Sequence, residues 1–214
     1  MNSQIEAWLK AYYKHEEGTA LNPGNMGDSK KFARELGMLL YHLKRLDQAG
    51  APGPSFENAF AGSELSFFEA EFADLLANFK ELVPSDLLVI EFDKVVNRAT
   101  EAKTDWLHGD FWPENILVKD GKIQQVRGFD KAVVGNPSAD LAIAWSLFDV
   151  KERKVFFSAA EASQQSIDEA RLYALRHALK NYHSEDIDQL IMSRDSLTEV
   201  LKDYGFTGDE DLRQ

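Results

Sequence analysis

Two oxygen-bearing side chains five residues apart, Asp110 and Asn115, lie in the stretch Leu107-His108-Gly109-Asp110-Phe111-Trp112-Pro113-Glu114-Asn115-Ile116-Leu117-Val118. The apolar run at its end leads to Asp120-Gly121, a strong two-residue hairpin signal, and residues 123–129 read as the returning strand. A hairpin that brings the chain back beside an aspartate at a strand end, with an asparagine five residues on, gathers oxygen ligands around one point. Phosphoryl transfer needs that arrangement. One carboxylate orients the attacking hydroxyl and accepts its proton, while an amide oxygen and a second carboxylate hold magnesium against the phosphates. A lone Asp or Asn near a turn is usually a cap or an Asx-turn, so the joint pattern carries the argument.

The rest of the chain reads mainly as helix. Ser3 and Glu6 form a capping-box pattern ahead of Ile5, Trp8, Leu9 and Tyr12, and residues 18–28 form a loop. Phe32, Leu36, Leu39, Leu40, Leu43 and Leu46 mark one face of a helix beginning near Ser29, with Ala33 and Gly37 allowing a close neighbour. Leu65, Phe68, Phe72, Leu75, Leu76 and Phe79 repeat the spacing before Pro84, and Ser85 can cap a helix carrying Leu88, Phe92, Val95 and Val96. After Pro137 helical spacing returns. Ser166 and Glu169 suggest a second capping box, and Gly205 closes a last helix through Leu197, Val200 and Leu201. The hairpin is the one convincing β element, and Trp106 and Trp112 read as packing residues, His177 and His183 as helix-surface ones.

Composition narrows the function. Across 214 residues, 44% hydrophobic content suits a protein with a real core, and the N-terminus lacks the basic and apolar character of a signal peptide. No apolar run reaches membrane-spanning length, so the chain reads as cytoplasmic. A formal charge of −12 opposes binding to nucleic acid or anionic membranes and favours a cationic ligand. The absence of cysteine and the scatter of five histidines exclude a structural zinc.

His108-Gly109-Asp110-Phe111-Trp112-Pro113-Glu114-Asn115 resembles the HGD-x-x-x-x-N catalytic loop of aminoglycoside phosphotransferases, choline kinases and their relatives, a counterpart of the protein-kinase catalytic loop. The hairpin and then Gly135-Asn136-Pro137-Ser138-Ala139-Asp140-Leu141-Ala142 follow in family order, and weaker similarity runs from about Phe32 to the last helix. The resemblance implies an α+β, predominantly helical fold: the C-terminal lobe of a protein-kinase-like (aminoglycoside phosphotransferase) fold with one small β-hairpin. Residues 1–28 would be a short segment in place of an N-terminal ATP-binding lobe, and residues 29–214 the helical lobe. It implies Asp110 as catalytic base, Asn115 as metal ligand, His108 and Asp140 as supports of the loop, and ATP with magnesium (Mg2+) as cofactors.

The chain departs from that pattern in three places. Relatives carry a magnesium-binding aspartate in an Ile-Asp-Phe or Ile-Asp-Trp triplet, where this chain has Arg127-Gly128-Phe129. Gly128 offers only its backbone carbonyl, Arg127 adds a positive charge, and Asp130, about 6.6 Å further along a continuing strand, is a weak substitute. Asn136 stands where the family usually has Asp. Ahead of residue 29, where a complete kinase of this type has an N-terminal lobe of roughly a hundred residues, this sequence has 28, and its Gly24-Asn25-Met26-Gly27-Asp28-Ser29-Lys30 does not fit a Walker loop and reads as a turn plus a helix cap.

The expected activity is ATP-dependent phosphorylation of a hydroxyl on a small cationic molecule, with Glu185, Asp186 and Asp188 drawing in its ammonium groups and the isolated chain inactive or strongly impaired. The alternatives are a non-catalytic, pseudokinase-like scaffold or small-molecule-binding module, and half of a split kinase. A surface left by a missing N-terminal lobe would favour a homodimer in which Trp8, Leu9, Tyr12 and Tyr13 take part.

Overall fold

The computed structural model describes residue 5, residues 17–98 and residues 104–206. Ile5 is helical and buried in the core. The rest of the expected N-terminal helix, with Trp8, Leu9, Tyr12 and Tyr13, lies outside the described residues.

Thr19–Ala20 forms a short strand, β1, within the stretch expected to be loop. Asp28 then caps α1 (Ser29–Leu43) by accepting from the Lys31 amide at 3.0 Å, and the expected stripe from Phe32 to Leu43 is buried. Next come α2 (Glu69–Asn78) and α3 (Ser85–Arg98). Ser85 begins α3, but its hydroxyl donates to the Leu76 carbonyl of α2 at 2.7 Å, tying the two helices together rather than capping one.

The chain then forms β2 (Asp105–Leu107), β3 (Ile116–Lys119), β4 (Lys122–Val126) and β5 (Val133–Gly135). The β3–β4 turn places Asp120 at φ 52° and Gly121 at φ 70°, the pair of positive angles that an Asp-Gly hairpin supplies. The β content exceeds the single hairpin expected. β1 joins it in a sheet ordered β1-β3-β4, and β2 pairs antiparallel with β5. The returning strand is also shorter than expected. It ends at Val126, because Gly128 turns left-handed and starts a 3₁₀ turn, Phe129–Lys131.

The remaining helices are α4 (Ser138–Leu141), α5 (Ala144–Leu147), α6 (Val150–Ala159), α7 (Gln164–Lys180) and α8 (Ile187–Asp203). A capping box of Asp149 and Glu152 starts α6. Ser163, not Ser166, caps α7 by accepting from the Ser166 amide, and Glu169 is buried inside that helix. Gly205, at φ 72°, closes α8 as expected, with Phe206 donating to the Leu201 carbonyl.

The core forms where α1 packs on α6, α4 on α7, and α8 on α5 and α7. Close approach of α1 to α6 depends on Gly37, since a Cβ there would strike the Phe156 carbonyl oxygen. The buried Arg153 guanidinium clamps α6 to α8 through Glu199 at 3.0 Å and Asp203 at 2.8 Å, and also donates to the Phe148 carbonyl. Among the described residues, no helix is long and apolar enough to cross a membrane.

Candidate active site

The strand β2 delivers the chain to His108, and the adjoining loop is framed from α4. Asp140, fully buried, accepts from the His108 amide at 2.5 Å and from the Gly109 amide at 3.0 Å. The His108 ring lies between Phe111 and Phe129, with centroids 5.6 and 4.3 Å away. Its Nδ1 accepts from the Asp110 amide at 3.1 Å, which leaves Nε2 to donate to the Arg127 carbonyl at 2.6 Å. Burial pushes His108 down to about 4 and Asp140 up to about 7. Gly109, at φ 82°, is pressed against the Lys131 carbonyl oxygen, where a Cβ would not fit.

This frame presents Asp110 half-exposed at the mouth of a cleft. Asn115 Nδ2 donates to the Asp110 carbonyl at 2.8 Å and reaches Asp110 Oδ2 at 3.3 Å. The same Oδ2 is 3.1 Å from the Lys131 ammonium. Gly128 sits at φ 80°, ψ 32°, and a Cβ there would stand 3.1 Å from the Asn115 amide atoms, Oδ1 included. The hairpin thus brings Asp110, Asn115 and position 128 together. Arg127 is exposed and donates to the Glu114 carbonyl at 3.1 Å.

A divalent ion does not fit the residues present. The Asn115 amide lies against Gly128, which has no carboxylate to complete a hard-cation site, and an ammonium already pairs with the Asp110 carboxylate. Asp130 does not repair the gap. It is exposed on the 3₁₀ turn and, with Gly128, lines a cavity of about 570 Å³ whose lining includes neither Asp110 nor Asn115. Among the described residues, no group of three or more His, Asp or Glu side chains could hold a metal.

Two adjoining cavities make up the cleft. One, of about 430 Å³, is of mixed charge, lined by Asp110 and Glu114 with Lys131, Arg176 and Lys180; the other, of about 480 Å³, is acidic, lined by Glu114, Asp186, Asp188 and Asp195. Glu114, His177 and Gln189 line both. Asp186 also caps α8 by accepting from the Gln189 amide at 2.9 Å. Glu185 is exposed and lines neither cavity.

His177 is not the surface residue its helical position suggests. It stacks on Trp112 at 3.5 Å between centroids, with the planes 17° apart, and burial together with Arg176 and Lys180 lowers its pKa to about 3. His183 is exposed and stacks on Phe79. Glu114 was passed over in the sequence because its role depends on where α8 lies. Partial burial in the cleft raises its pKa, reinforced by the carboxylates of Asp110 and Asp186. Lys131 was missed because a continuing strand would have carried it away from Asp110.

Asn136 has a local explanation. Its buried Nδ2 donates to Glu64 at 3.1 Å and to Glu169 at 2.9 Å, and its Oδ1 accepts from the Ser138 amide at 3.0 Å. An aspartate there would set three carboxylates together.

Comparison with known proteins bears on the fold and the family. Among solved structures, the GDP and kanamycin complex of APH(2'')-IIIa is 15% identical, with a TM-score of 0.58 over 89% of this chain and 70% of that one. ADP-bound aminoglycoside phosphotransferase APH(2'')-Ib is 14% identical, with a TM-score of 0.54 over 93% and 81%. An ethanolamine kinase from Plasmodium vivax is 17% identical, with a TM-score of 0.51 over 87% and 63%. At these identities the likeness is one of fold. No curated protein matches the sequence. The model of the phosphotransferase enzyme family matches residues 2–175, most of the chain, and the protein belongs to that family.

Proposed function

We propose that this chain is an aminoglycoside-phosphotransferase-like lobe that binds a small cationic, hydroxyl-bearing molecule beside Asp110, with ATP-dependent transfer to that hydroxyl lost or strongly impaired. The observation that carries the reading is the second cavity, lined by Glu114, Asp186, Asp188 and Asp195 with no Lys or Arg among the described residues around it, which Glu114 links to the cavity of Asp110. An ammonium group in the second cavity would hold a neighbouring hydroxyl near Asp110, which stands where a general base would take its proton. That one relative is solved with kanamycin supports this class of ligand, and the GDP and ADP bound to relatives support a nucleotide as the ancestral phosphate donor.

Impairment follows from Gly128. Preorganised charge supplies most of the catalysis in phosphoryl transfer, and loss of one such group commonly costs about 100-fold or more. The same residue favours the second reading, a pseudokinase-like scaffold that binds no such ligand.

Calorimetric titration with kanamycin, with and without ATP and magnesium, is the test. We expect binding that weakens about 10-fold in Glu114→Gln/Asp186→Asn and with added salt. No phosphorylated product should accumulate. Turnover abolished by Asp110→Ala would refute the impairment, and an absence of binding would favour the scaffold.

A further inference from the structure

The residue beside Asp110 is a cation supplied by the protein itself. Gly128, left-handed at φ 80°, ends the path of β4 and folds Phe129–Lys131 into a 3₁₀ turn, which returns residue 131 to the catalytic loop. Lys131 is then held at both ends. Its carbonyl is pressed into the space left by the missing Cβ of Gly109, and its ammonium lies 3.1 Å from Asp110 Oδ2. The two side chains are 36% and 32% exposed, so water screens the pair only in part.

We propose that Lys131 is the resident cation of this site, standing in for a divalent metal beside Asp110 and excluding one from the cleft, an inference that rests on the phosphotransferase-like reading of that cleft. A metal held between the Asn115 amide oxygen and a carboxylate at position 128 would be linked to this ammonium through Asn115 and the Asp110 carboxylate, and be repelled by it. The site has therefore lost a metal ligand at Gly128 and carries a fixed positive charge at Lys131, and the two changes reinforce each other. Phosphate oxygens entering the cleft meet the Lys131 ammonium instead, as a point charge.

Because the two residues act on one site, their effects on metal affinity are coupled. Manganese titration followed by electron paramagnetic resonance reads this directly. The native chain should show only weak binding by surface carboxylates. Gly128→Asp alone and Lys131→Met alone should each raise affinity by less than about 3-fold, while Gly128→Asp/Lys131→Met together should gain about 30-fold or more, well beyond additivity. Gly128→Asp/Lys131→Arg, which keeps the charge, should stay near the native value.

Since a Cβ at 128 crowds Asn115, Gly128→Asn/Lys131→Met serves as a second variant, because asparagine tolerates left-handed backbone well; about 5-fold or more is expected there. The proposal is overturned by a tight manganese site in the native chain that Asn115→Ala removes. A full gain from Gly128→Asp alone overturns it too, as does the absence of gain in both folded double variants. Kanamycin titration of the same samples judges the acidic cavity separately, since it requires no metal.

Discussion

Asp140 and His108 face each other across one loop and titrate in opposite senses. His108 stays neutral in the folded protein to about pH 4, whereas the unfolded imidazole takes up a proton below about 6.5, so its contribution to stability is lost as pH falls through that window. Asp140 keeps its proton to about pH 7 when folded, whereas the unfolded carboxyl loses it above about 4, so its contribution is lost as pH rises over much the same range. The two slopes oppose each other in the native chain. In Asp140→Asn only the histidine slope remains, and stability should fall more steeply on acidification from pH 6.5 to 4, by up to about 1.4 kcal/mol per pH unit. Urea unfolding at three pH values across the window measures it; equal slopes in the two proteins would mean that Asp140 titrates as an ordinary carboxyl.

Helix packing makes a sharper demand at Gly37 than at any exposed glycine. Gly37→Val would drive a branched side chain into the Phe156 backbone and force α1 away from α6, and should cost about 3 kcal/mol in chemical denaturation, whereas the same change at exposed, uncrowded Gly53 should cost far less. This contact was legible in outline, because Ala33 and Gly37 interrupt a long apolar stripe. The hairpin was legible too, from Asp120-Gly121, as were Asp110 and Asn115 from their spacing. Strands β1, β2 and β5 were not recognised as strands, since two or three residues are too few to establish a period of two. Lys131 was hidden for a different reason: its approach to Asp110 depends on the left-handed turn at Gly128, and sequence distance along a supposed strand pointed the other way. The start of α7 was misplaced because Ser166 with Glu169 fits the capping-box spacing whereas Ser163, followed by Gln164 and Gln165, does not, and Glu169 proved to answer Asn136 and Ser138 instead of a helix end.

At the scale of the molecule, a formal charge of −12 means that self-repulsion opposes compaction. Raising salt from about 10 mM to 300 mM shortens the Debye length from about 30 Å to about 6 Å and should raise the melting temperature by several degrees. A melting temperature that falls with salt would indicate that ion pairs such as those of Arg153 outweigh the excess negative charge. The pairing of α1 with α6 also bears on how the chain comes to be folded at all. Ser29 and Glu152, which meet across that interface, are 123 residues apart. On a ribosome working at about 5–20 residues per second, α1 emerges roughly 6 to 25 seconds before its partner. For that interval the stripe of Phe32, Leu36, Leu39, Leu40 and Leu43 has no α6 to cover it. The nascent chain is thus most exposed to aggregation, and most in need of a chaperone, while the segment that carries Asp110 is still being made.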